Sequence, residues 1–434
     1  MITDTNSLLL LLVRRLKIAF LAMIVFVAPV QAATIETVTS LGLPLPGGNS
    51  PAFPQVRFAN GTFYGAVYGG FNGAPDRGSI YRLSATGVLT TLYQFQGSTD
   101  DEANPTVLIA GNDGNLYGVT GPKAVGDLNG MIFKLTTTGV FTPIYRFQDG
   151  RGTHATSLIQ GADGNFYGTA AGDSSGGFFN HPPEMHNAGI FFRLTPGGVL
   201  TTLYSFTGGL DGSFPNAIAE GTDGNFYGSA LNGPESPPNV FSGFGNIFRI
   251  SAIGIQSILY PFTGGNDGGN PSKLIQGGDG NMYGIAEYPN INNAFKVTPA
   301  GVRNTLFRFE GTNGRDPSQL MASSDGNIYG TTQDGGIPQA GSIFCINPSG
   351  QIATYFFNGT TTGGRPSQLF EGTDHNLYGV TADGGANNHG TIFRLNTAPP
   401  RSLLNISTRM QVLTDDKVLI GGFIVTGNEV KRVI

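Results

Sequence analysis

The 434-residue sequence lacks tryptophan, contains a single cysteine and has few charged residues. Because Cys345 is alone, no intramolecular disulfide can form, and packing must stabilise the fold. Only 12% of the residues are charged and the net charge is -5, so we expect a poor nucleic-acid partner, because phosphate binding needs clustered Lys and Arg. Glycine, by contrast, is abundant at 67 copies, which is typical of short strands joined by tight turns.

The first 32 residues have the pattern of a secretory signal peptide. Arg14, Arg15 and Lys17 precede the apolar run IAFLAMIVFVAPV, and the small residues of VQA before Ala33 suit a cleavage site. The alternative is an uncleaved membrane anchor that includes LLLLLV, but the basic residues interrupt that stretch and the later run is short for a span. We therefore expect a secreted, periplasmic or cell-surface protein with no membrane span after signal removal.

Two phrases recur along the chain. The first, of the form DGNxYG with small variations, occurs seven times, and its closing glycines are Gly65, Gly118, Gly168, Gly228, Gly284, Gly330 and Gly379. The second, such as GIFFRLTPGGVLTTLYSF from Gly189, follows each copy in full or weaker form. Both phrases join segments of alternating apolar and polar residues through turn residues, which indicates β-hairpins. A period of about 46 to 60 residues holds four short strands, and this predicts an all-β, seven-bladed β-propeller.

The two ends of the repeat region predict how the ring closes. Each full repeat contains four strands, a to d, represented by SLIQG, NFYGTA, IFFRLT and TTLYSF. The seventh repeat stops after strand c at Leu395, because the prolines of NTAPPRSLL break strand pairing. At the other end of the chain, TIETVTSL at 34–41 alternates like a strand d. We therefore predict that this N-terminal strand completes the last blade of a propeller domain at 33–397.

Together, the phrases DGNxYG and GTIFRLTPxGxxTTLYSF resemble the choice-of-anchor tandem-repeat GloVer-containing proteins, a family of exported bacterial repeat proteins. The resemblance covers about residues 34–396 and implies the repeat fold and export, with no catalytic residues to assign. Residues 398–434 resemble the start of a β-rich C-terminal domain found on similar exported proteins. This segment is too short to bury its own core, so we expect an incomplete β-rich piece that is flexible or docks on the propeller.

The predicted blades have two different rims. The a–b and c–d turns form the turn rim, whose DGN and TPxG sequences are nearly constant and whose Asp and Asn we interpret as structural. The b–c loops and d–a crossovers form the crossover rim, whose variable loops are the expected place for recognition. The candidate binding residues on that rim are aromatic side chains, which either stack on sugars or pack within their own loops, and two aspartates: Phe178, Phe179, Phe241, Phe244, Tyr288, Asp211 and Asp267.

A metal site is a further hypothesis for the crossover rim. His181, Glu184 and His186 in NHPPEMHN have side chains that bind zinc or similar divalent ions. The two prolines exclude the helical HExxH arrangement, however, and an exposed polar loop is the favoured interpretation. No other cofactor is predicted.

Two sets of charged residues recur in equivalent repeats. Asp211, Asp267 and Asp316 recur in crossovers, where turn capping is favoured over calcium binding. One strand-c position carries Cys345 in the sixth repeat and a cation in the others, namely Arg82, Lys134, Arg193, Arg249, Lys296 and Arg394. We expect these cationic heads to reach solvent or a neighbouring carboxylate rather than to form an anion site.

Two classes of function fit this organisation. The favoured class is a non-enzymatic binding or interaction protein whose partner is a glycan, a peptide or a cell-surface protein. The alternative is a lyase or hydrolase acting on an extracellular polysaccharide or cyclic peptide, because streptogramin-lyase-like propellers also repeat a DGN-aromatic phrase. That group favours Trp where this chain has Tyr, and no central His–Glu pair can be matched.

Overall fold

The structure is a computed structural model. It describes residues 33–40, 56–57, 62–67, 77–84, 88–97, 103–121, 130–147, 154–172, 188–233, 243–288, 291–372, 374–396, 423–425 and 431–433. The last two ranges form an antiparallel hairpin of β29 (Phe423–Val425) and β30 (Lys431–Val433), which lies outside the compact unit Thr34–Pro400. No helix occurs among the described residues, and hence none long and apolar enough to cross a membrane.

The unit Thr34–Pro400 consists of seven four-stranded antiparallel sheets, each of which is one blade. Blade 1 contains β2 (Val56–Arg57), β3 (Phe63–Val67), β4 (Ser79–Leu83) and β5 (Leu89–Gln94). Blade 2 contains β6 (Ala103–Ala110), β7 (Leu116–Gly121), β8 (Met131–Leu135) and β9 (Phe141–Arg146). Blade 3 contains β10 (Ala155–Gln160), β11 (Phe166–Ala170), β12 (Ile190–Leu194) and β13 (Leu200–Ser205).

The remaining blades repeat the order a, b, c, d. Blade 4 contains β14 (Ser213–Glu220), β15 (Phe226–Asn232), β16 (Asn246–Ile250) and β17 (Gln256–Pro261). Blade 5 contains β18 (Pro271–Gln276), β19 (Met282–Tyr288), β20 (Ile291–Val297) and β21 (Arg303–Phe309). Blade 6 contains β22 (Arg315–Ala322), β23 (Ile328–Asp334), β24 (Ser342–Ile346) and β25 (Ile352–Phe356). Blade 7 contains β26 (Gly364–Glu371), β27 (Leu377–Asp383), β28 (Thr391–Asn396) and, from the N-terminal end, β1 (Thr34–Ser40).

The N-terminal strand closes the ring, as predicted. β1 pairs antiparallel with β28, in a register that runs from Thr34 opposite Asn396 to Ser40 opposite Thr391. Across this pair a guanidinium nitrogen of Arg394 donates to a carboxylate oxygen of Glu36 at 2.6 Å. The seven-bladed, all-β architecture is thereby confirmed.

The hydrophobic core lies between neighbouring blades rather than at one centre. The motif tyrosine of one blade packs on the first residue of strand b in the next, with ring centroids 4.4 Å apart for Tyr117 and Phe166 and 4.3 Å apart for Tyr167 and Phe226. Blades 7 and 1 are joined by a cluster of the same kind, which contains Phe63, Tyr81, Val380 and Ile392. Each blade therefore depends on its neighbours for burial, as expected of repeats that cannot fold alone.

The glycine of the DGNxYG phrase leaves room for an aromatic ring. In blade 4, Gly228 lies opposite Phe248 of strand c, and a Cβ on this glycine would lie 2.2 Å from the ring's Cζ. Phe248 is fully buried. The two phrases of the repeat are therefore linked physically, because the aromatic residue of the second occupies the space that the glycine of the first leaves empty.

A polar contact fixes several of the turns to the next blade. The backbone N–H of Asn112 donates to Oε1 of Gln160 at 2.8 Å, and that of Thr222 donates to Oε1 of Gln276 at 2.9 Å. Gln160 and Gln276 are the last residues of their a strands. Side chains of strand a thus hold neighbouring blades in register on the turn rim.

Candidate functional site

The Asp-Gly-Asn turns have a structural role. In blade 2 one carboxylate oxygen of Asp113 accepts hydrogen bonds from the hydroxyl of Tyr117 and the ammonium of Lys134, at 2.9 and 2.8 Å, while the other accepts from the backbone of Asn115. Burial opposes ionisation of Asp113, but these hydrogen bonds outweigh it and hold its pKa well below the usual range. The same Asp–Tyr bond recurs with Asp163, Asp223, Asp279, Asp325 and Asp374.

Three of the strand-c cations contact carboxylates of these turns or of the closing strand. Besides Lys134, the ammonium of Lys296 lies 3.9 Å from Asp279 in blade 5, and Arg394 pairs with Glu36 of β1. The prediction that these heads reach neighbouring carboxylates is confirmed for those three residues. In blade 6 the equivalent residue is Cys345, which lies opposite Tyr329 and is buried.

Two crossover aspartates cap their own turns. Asp267 accepts hydrogen bonds from the backbone N–H and hydroxyl of Thr263, at 2.9 and 2.6 Å, and from the hydroxyl of Tyr260. Asp211 accepts the equivalent set from Thr207 and Tyr204. Both oxygens of each carboxylate are therefore engaged within the turn, which supports capping.

The expectation that Asp316 is equivalent to these aspartates is wrong. The equivalent residue in blade 6 is Asn313, whose side-chain oxygen accepts from the backbone N–H of Glu310 at 2.8 Å. Asp316 lies three residues later, directly before Pro317, with a positive φ of 54°. The crossovers differ in sequence between blades, so matching by residue type alone misplaced it.

The structure describes two of the five aromatic candidates and none of the three metal candidates. Phe244 and Tyr288 pack edge to face with centroids 4.9 Å apart, and Phe244 also packs on the core between blades 4 and 5, which favours packing within their own loops. Phe178, Phe179 and Phe241, like His181, Glu184 and His186, lie outside the described residues. Within the part of the chain that is described, no group of three His, Cys, Asp or Glu side chains is arranged to hold a metal ion.

The structure instead brings together the a strands around an axial channel, with a cavity of about 440 Å³. Its wall comes from strand a of blades 2 to 7 and includes hydroxyl and amide side chains of Thr106, Thr156, Ser157, Asn216, Ser272, Ser318, Gln319 and Gln368. Ile159 and Ile275, further along strand a, line it towards the turn rim. The channel is therefore polar near the crossover rim and more apolar near the turn rim.

A repeated bulge places these polar side chains. The pairing of strands a and b shifts between Pro215 and Ala217 in blade 4, and likewise on either side of Ser272 and Ser318 in blades 5 and 6. Because the extra residue of a bulge reorients the side chains next to it, strand a can face the channel with polar groups while it buries a leucine or isoleucine between blades. The side chain of Asn216 also donates to the backbone oxygen of Ser272 at 3.3 Å.

Strand a is held rigidly where it enters the channel. The residue before its proline has a positive φ, as in Phe214 and Asn270, a conformation that non-glycine residues adopt only at a cost. The neighbouring blade compensates, since the N–H of Phe214 donates to the oxygen of Ala188 at 2.9 Å and that of Asn270 to Phe244 at 2.8 Å. Backbone position at the channel mouth is therefore set by contacts between blades.

Among the described residues, one ammonium group and one imidazole line this channel. Lys273 of blade 5 is solvent-accessible but surrounded by the channel wall, and this enclosure lowers its pKa, while the charge of Glu287 opposes the shift. The carboxylate of Glu287 accepts a short hydrogen bond from the hydroxyl of Ser272. Burial also lowers the pKa of His154. The described lining residues include no carboxylate.

A second cavity of about 440 Å³ lies on the crossover rim between blades 6 and 7. Its charges are largely paired within the protein: Arg365 donates to Asp383 at 2.9 Å, and Arg315 forms an ion pair with Asp334. Asp316 lies 3.7 Å from Arg315. The described lining of this cavity contains three carboxylates, and each of them has an arginine within 4 Å.

A family model described as the Gloeobacter/Verrucomicrobia repeat matches residues 24–237 and 239–411. The chain belongs to this repeat family. The match covers most of the propeller and agrees with the resemblance inferred from the repeated phrases. A search of curated proteins found no match.

Solved structures with a similar fold include lyases and an extracellular domain. A streptogramin B lyase is 19% identical with a TM-score of 0.56, over 84% of this chain and 97% of that chain. A catalytically inactive variant of virginiamycin B lyase from Staphylococcus aureus, solved with quinupristin, is 15% identical with a TM-score of 0.56, over 84% and 99%. The extracellular domain of a putative hybrid two-component system from B. thetaiotaomicron is 11% identical with a TM-score of 0.51, over 90% and 46%. At these identities the likeness shows the fold alone.

Sequence reasoning missed the channel as a site of this repeat protein. The signal was present at the position after the strand-a proline, where Asn216, Ser272 and Ser318 follow Pro215, Pro271 and Pro317. A polar residue at that point in successive copies of strand a indicates an inward-facing polar ring. Its meaning depends on the bulge, which the sequence does not reveal.

Proposed function

We propose that this repeat protein is an exported, non-enzymatic binding protein that holds a hydroxyl-rich ligand, such as a glycan, at the crossover end of the axial channel. The observation that supports this most is the channel wall, where equivalent positions of successive blades present hydroxyl and amide groups to one cavity of about 440 Å³. Such groups donate and accept hydrogen bonds at once, as a sugar hydroxyl requires. Cavities of this size lie in the range used for small ligands.

The rigidity of the wall favours binding. Backbone hydrogen bonds between blades hold the residues before Pro215 and Pro271, so side chains such as Asn216 need no large rearrangement to engage a ligand. A preorganised site of this kind loses less conformational entropy on binding. A lyase or hydrolase acting on a polysaccharide or cyclic peptide is the competing function, and the experiment below separates the two.

The proposal is tested on the mature full-length protein with a glycan array, followed by isothermal titration calorimetry on any glycan that binds. Asn216→Leu keeps the side-chain size but removes one hydrogen-bonding group from the wall, so affinity should fall about fivefold, the equivalent of one neutral hydrogen bond. Thr222→Val, on the turn rim, is the matched control and should leave affinity unchanged. Thermal unfolding of both variants checks that they are folded.

Three outcomes contradict the proposal. One is an array on which no glycan binds; another is binding that Thr222→Val weakens as much as Asn216→Leu. The third is chemical conversion of a bound glycan or cyclic peptide, detected by mass spectrometry, which would favour the enzymatic function.

Export is a separate part of the proposal and is supported by the basic and apolar pattern of residues 1–32. When the full chain is produced in a secreting bacterium, mass spectrometry of the mature protein should show an N-terminus at Ala33. Recovery of only the uncleaved chain in the cell membrane fraction would instead support the anchor alternative.

A further inference from the structure

Lys273 is a single charge at a repeated and otherwise uncharged position. It is the second residue after the strand-a proline in blade 5. The equivalent residues of the other described a strands are Val107, Ser157, Ala217, Gln319 and Gln368, and all of them line the same channel. Since the other copies show that the fold does not need a cation at this position, the lysine of blade 5 is available for another role.

The ammonium of Lys273 has no hydrogen-bond or ion-pair partner among the described residues. The charge of Glu287 acts on it electrostatically, but that carboxylate is already bonded to Ser272. An ammonium enclosed by protein loses part of its hydration, and an opposite charge placed beside it restores the lost stabilisation. The channel wall therefore contains an ammonium group to which no described carboxylate of the protein is bonded.

We propose that Lys273 binds the carboxylate of an acidic sugar, a hexuronate either free or at the end of a glycan chain. This inference rests on the proposed function and deepens it from hydroxylated ligands in general to anionic ones. The hydroxyl and amide groups of Ser318 and Asn216 would bind the sugar hydroxyls, and the ammonium would bind the one charged group. A cationic ligand is disfavoured because it would face Lys273 with no carboxylate among the described lining residues.

The experiment compares D-glucuronate with D-glucose, which differ in one carboxylate, by calorimetric titration of the mature full-length protein in low salt at pH 7. Glucuronate should bind about tenfold or more tightly than glucose, the equivalent of about 1.4 kcal/mol. Lys273→Met should abolish this preference by lowering glucuronate affinity to that of glucose in the same variant, and Lys273→Arg should retain most of it. Lys134→Met is the matched control: it removes a lysine from the turn rim and should keep the preference.

Each result decides the inference. Equal affinity for the two sugars in the unmodified protein overturns the role of Lys273 while leaving the proposed function intact. A glucuronate preference that survives Lys273→Met has the same consequence. If neither sugar binds and no glycan binds on the array, the proposed function itself fails, and this inference fails with it.

Discussion

Replacing Gly228 by alanine tests whether the Tyr-Gly phrase is a packing requirement of every blade. A Cβ at this position would lie 2.2 Å from Cζ and 2.5 Å from Cε2 of Phe248, and 2.8 Å from the backbone oxygen of Ala217. Phe248 is fully buried, so its ring has no free space to move into. Overpacking a core in this way costs about 1 to 3 kcal/mol. Contacts this short with both a ring and a backbone oxygen place Gly228→Ala near the upper value.

The loss should be visible in calorimetry. Unfolding entropy amounts to about 2.1 cal/mol/K per residue, so for a ring of roughly 360 residues a loss of about 3 kcal/mol lowers the Tm by about 4 °C. Gly278→Ala is the control, because a Cβ there meets nothing within 4 Å, its φ is ordinary, and the equivalent residue of blade 3 is Ala162. This control should leave the Tm unchanged or raise it slightly, since alanine restricts the unfolded chain.

A double variant identifies the cause. Phe248→Leu removes the ring atoms that approach Gly228, so Gly228→Ala combined with Phe248→Leu should lower the Tm by less than the sum of the two single changes. The packing argument is refuted if Gly228→Ala unfolds at the same temperature as Gly278→Ala. Strict additivity in the double variant would also refute it.

The polar turns and the single thiol give three further expected outcomes. Hydrogen bonds keep the folded pKa of Asp113 below its unfolded value of about 3.9, so the stability that this carboxylate contributes is complete above that pH and is lost as the pH falls through the folded pKa. The Tm should therefore drop below about pH 4, and it should drop less steeply in Asp113→Asn. Equal slopes of Tm against pH in the two proteins would contradict this. Asp267→Ala should lower the free energy of unfolding by about 1 to 2 kcal/mol through loss of its turn hydrogen bonds, by the same amount in EDTA as in calcium. If calcium instead raises the Tm of the unmodified protein but not that of the variant, a metal site would be supported. Burial raises the pKa of Cys345 to about 11, so a thiol reagent at pH 8 should label the unfolded protein much faster than the native one, and rapid native labelling would show the thiol to be exposed.

The repeat and its closure could be predicted because their signals are local. Each blade repeats the same glycines and the same alternation of apolar and polar residues, and these properties determine strands and turns without reference to distant residues. The closing strand was predictable because the seventh copy lacks strand d while residues 34–40 alternate in the same way. The structural interpretation of the Asp-Gly-Asn turns rests on equally local hydrogen bonds, as Asp113 shows.

The channel could not be predicted in the same way because it depends on register and on contacts between distant repeats. Strand a contains Lys273 between Ser272 and Leu274, and simple alternation does not account for two successive residues lining the channel. The bulge changes which side chains of strand a face the channel at this point, because a shift of one residue turns every side chain beyond it to the opposite side of the sheet. Similarly, Asp316 shares its residue type with Asp211 and Asp267, but its place directly before Pro317 makes it equivalent to the residue before the strand-a proline in other blades.

The pairing of the first and last strands is the claim on which the closed ring and its channel depend. Glu36 and Arg394 lie directly opposite each other on β1 and β28, and opposite residues of antiparallel strands have the Cα separation that a disulfide requires. In a Cys345→Ser background, the pair Glu36→Cys and Arg394→Cys should therefore oxidise to an intramolecular disulfide that mass spectrometry detects in the folded monomer, and the Tm should rise. Two thiols that stay free under oxidising conditions, or that cross-link only between molecules, would show that the N-terminal strand does not complete the last blade.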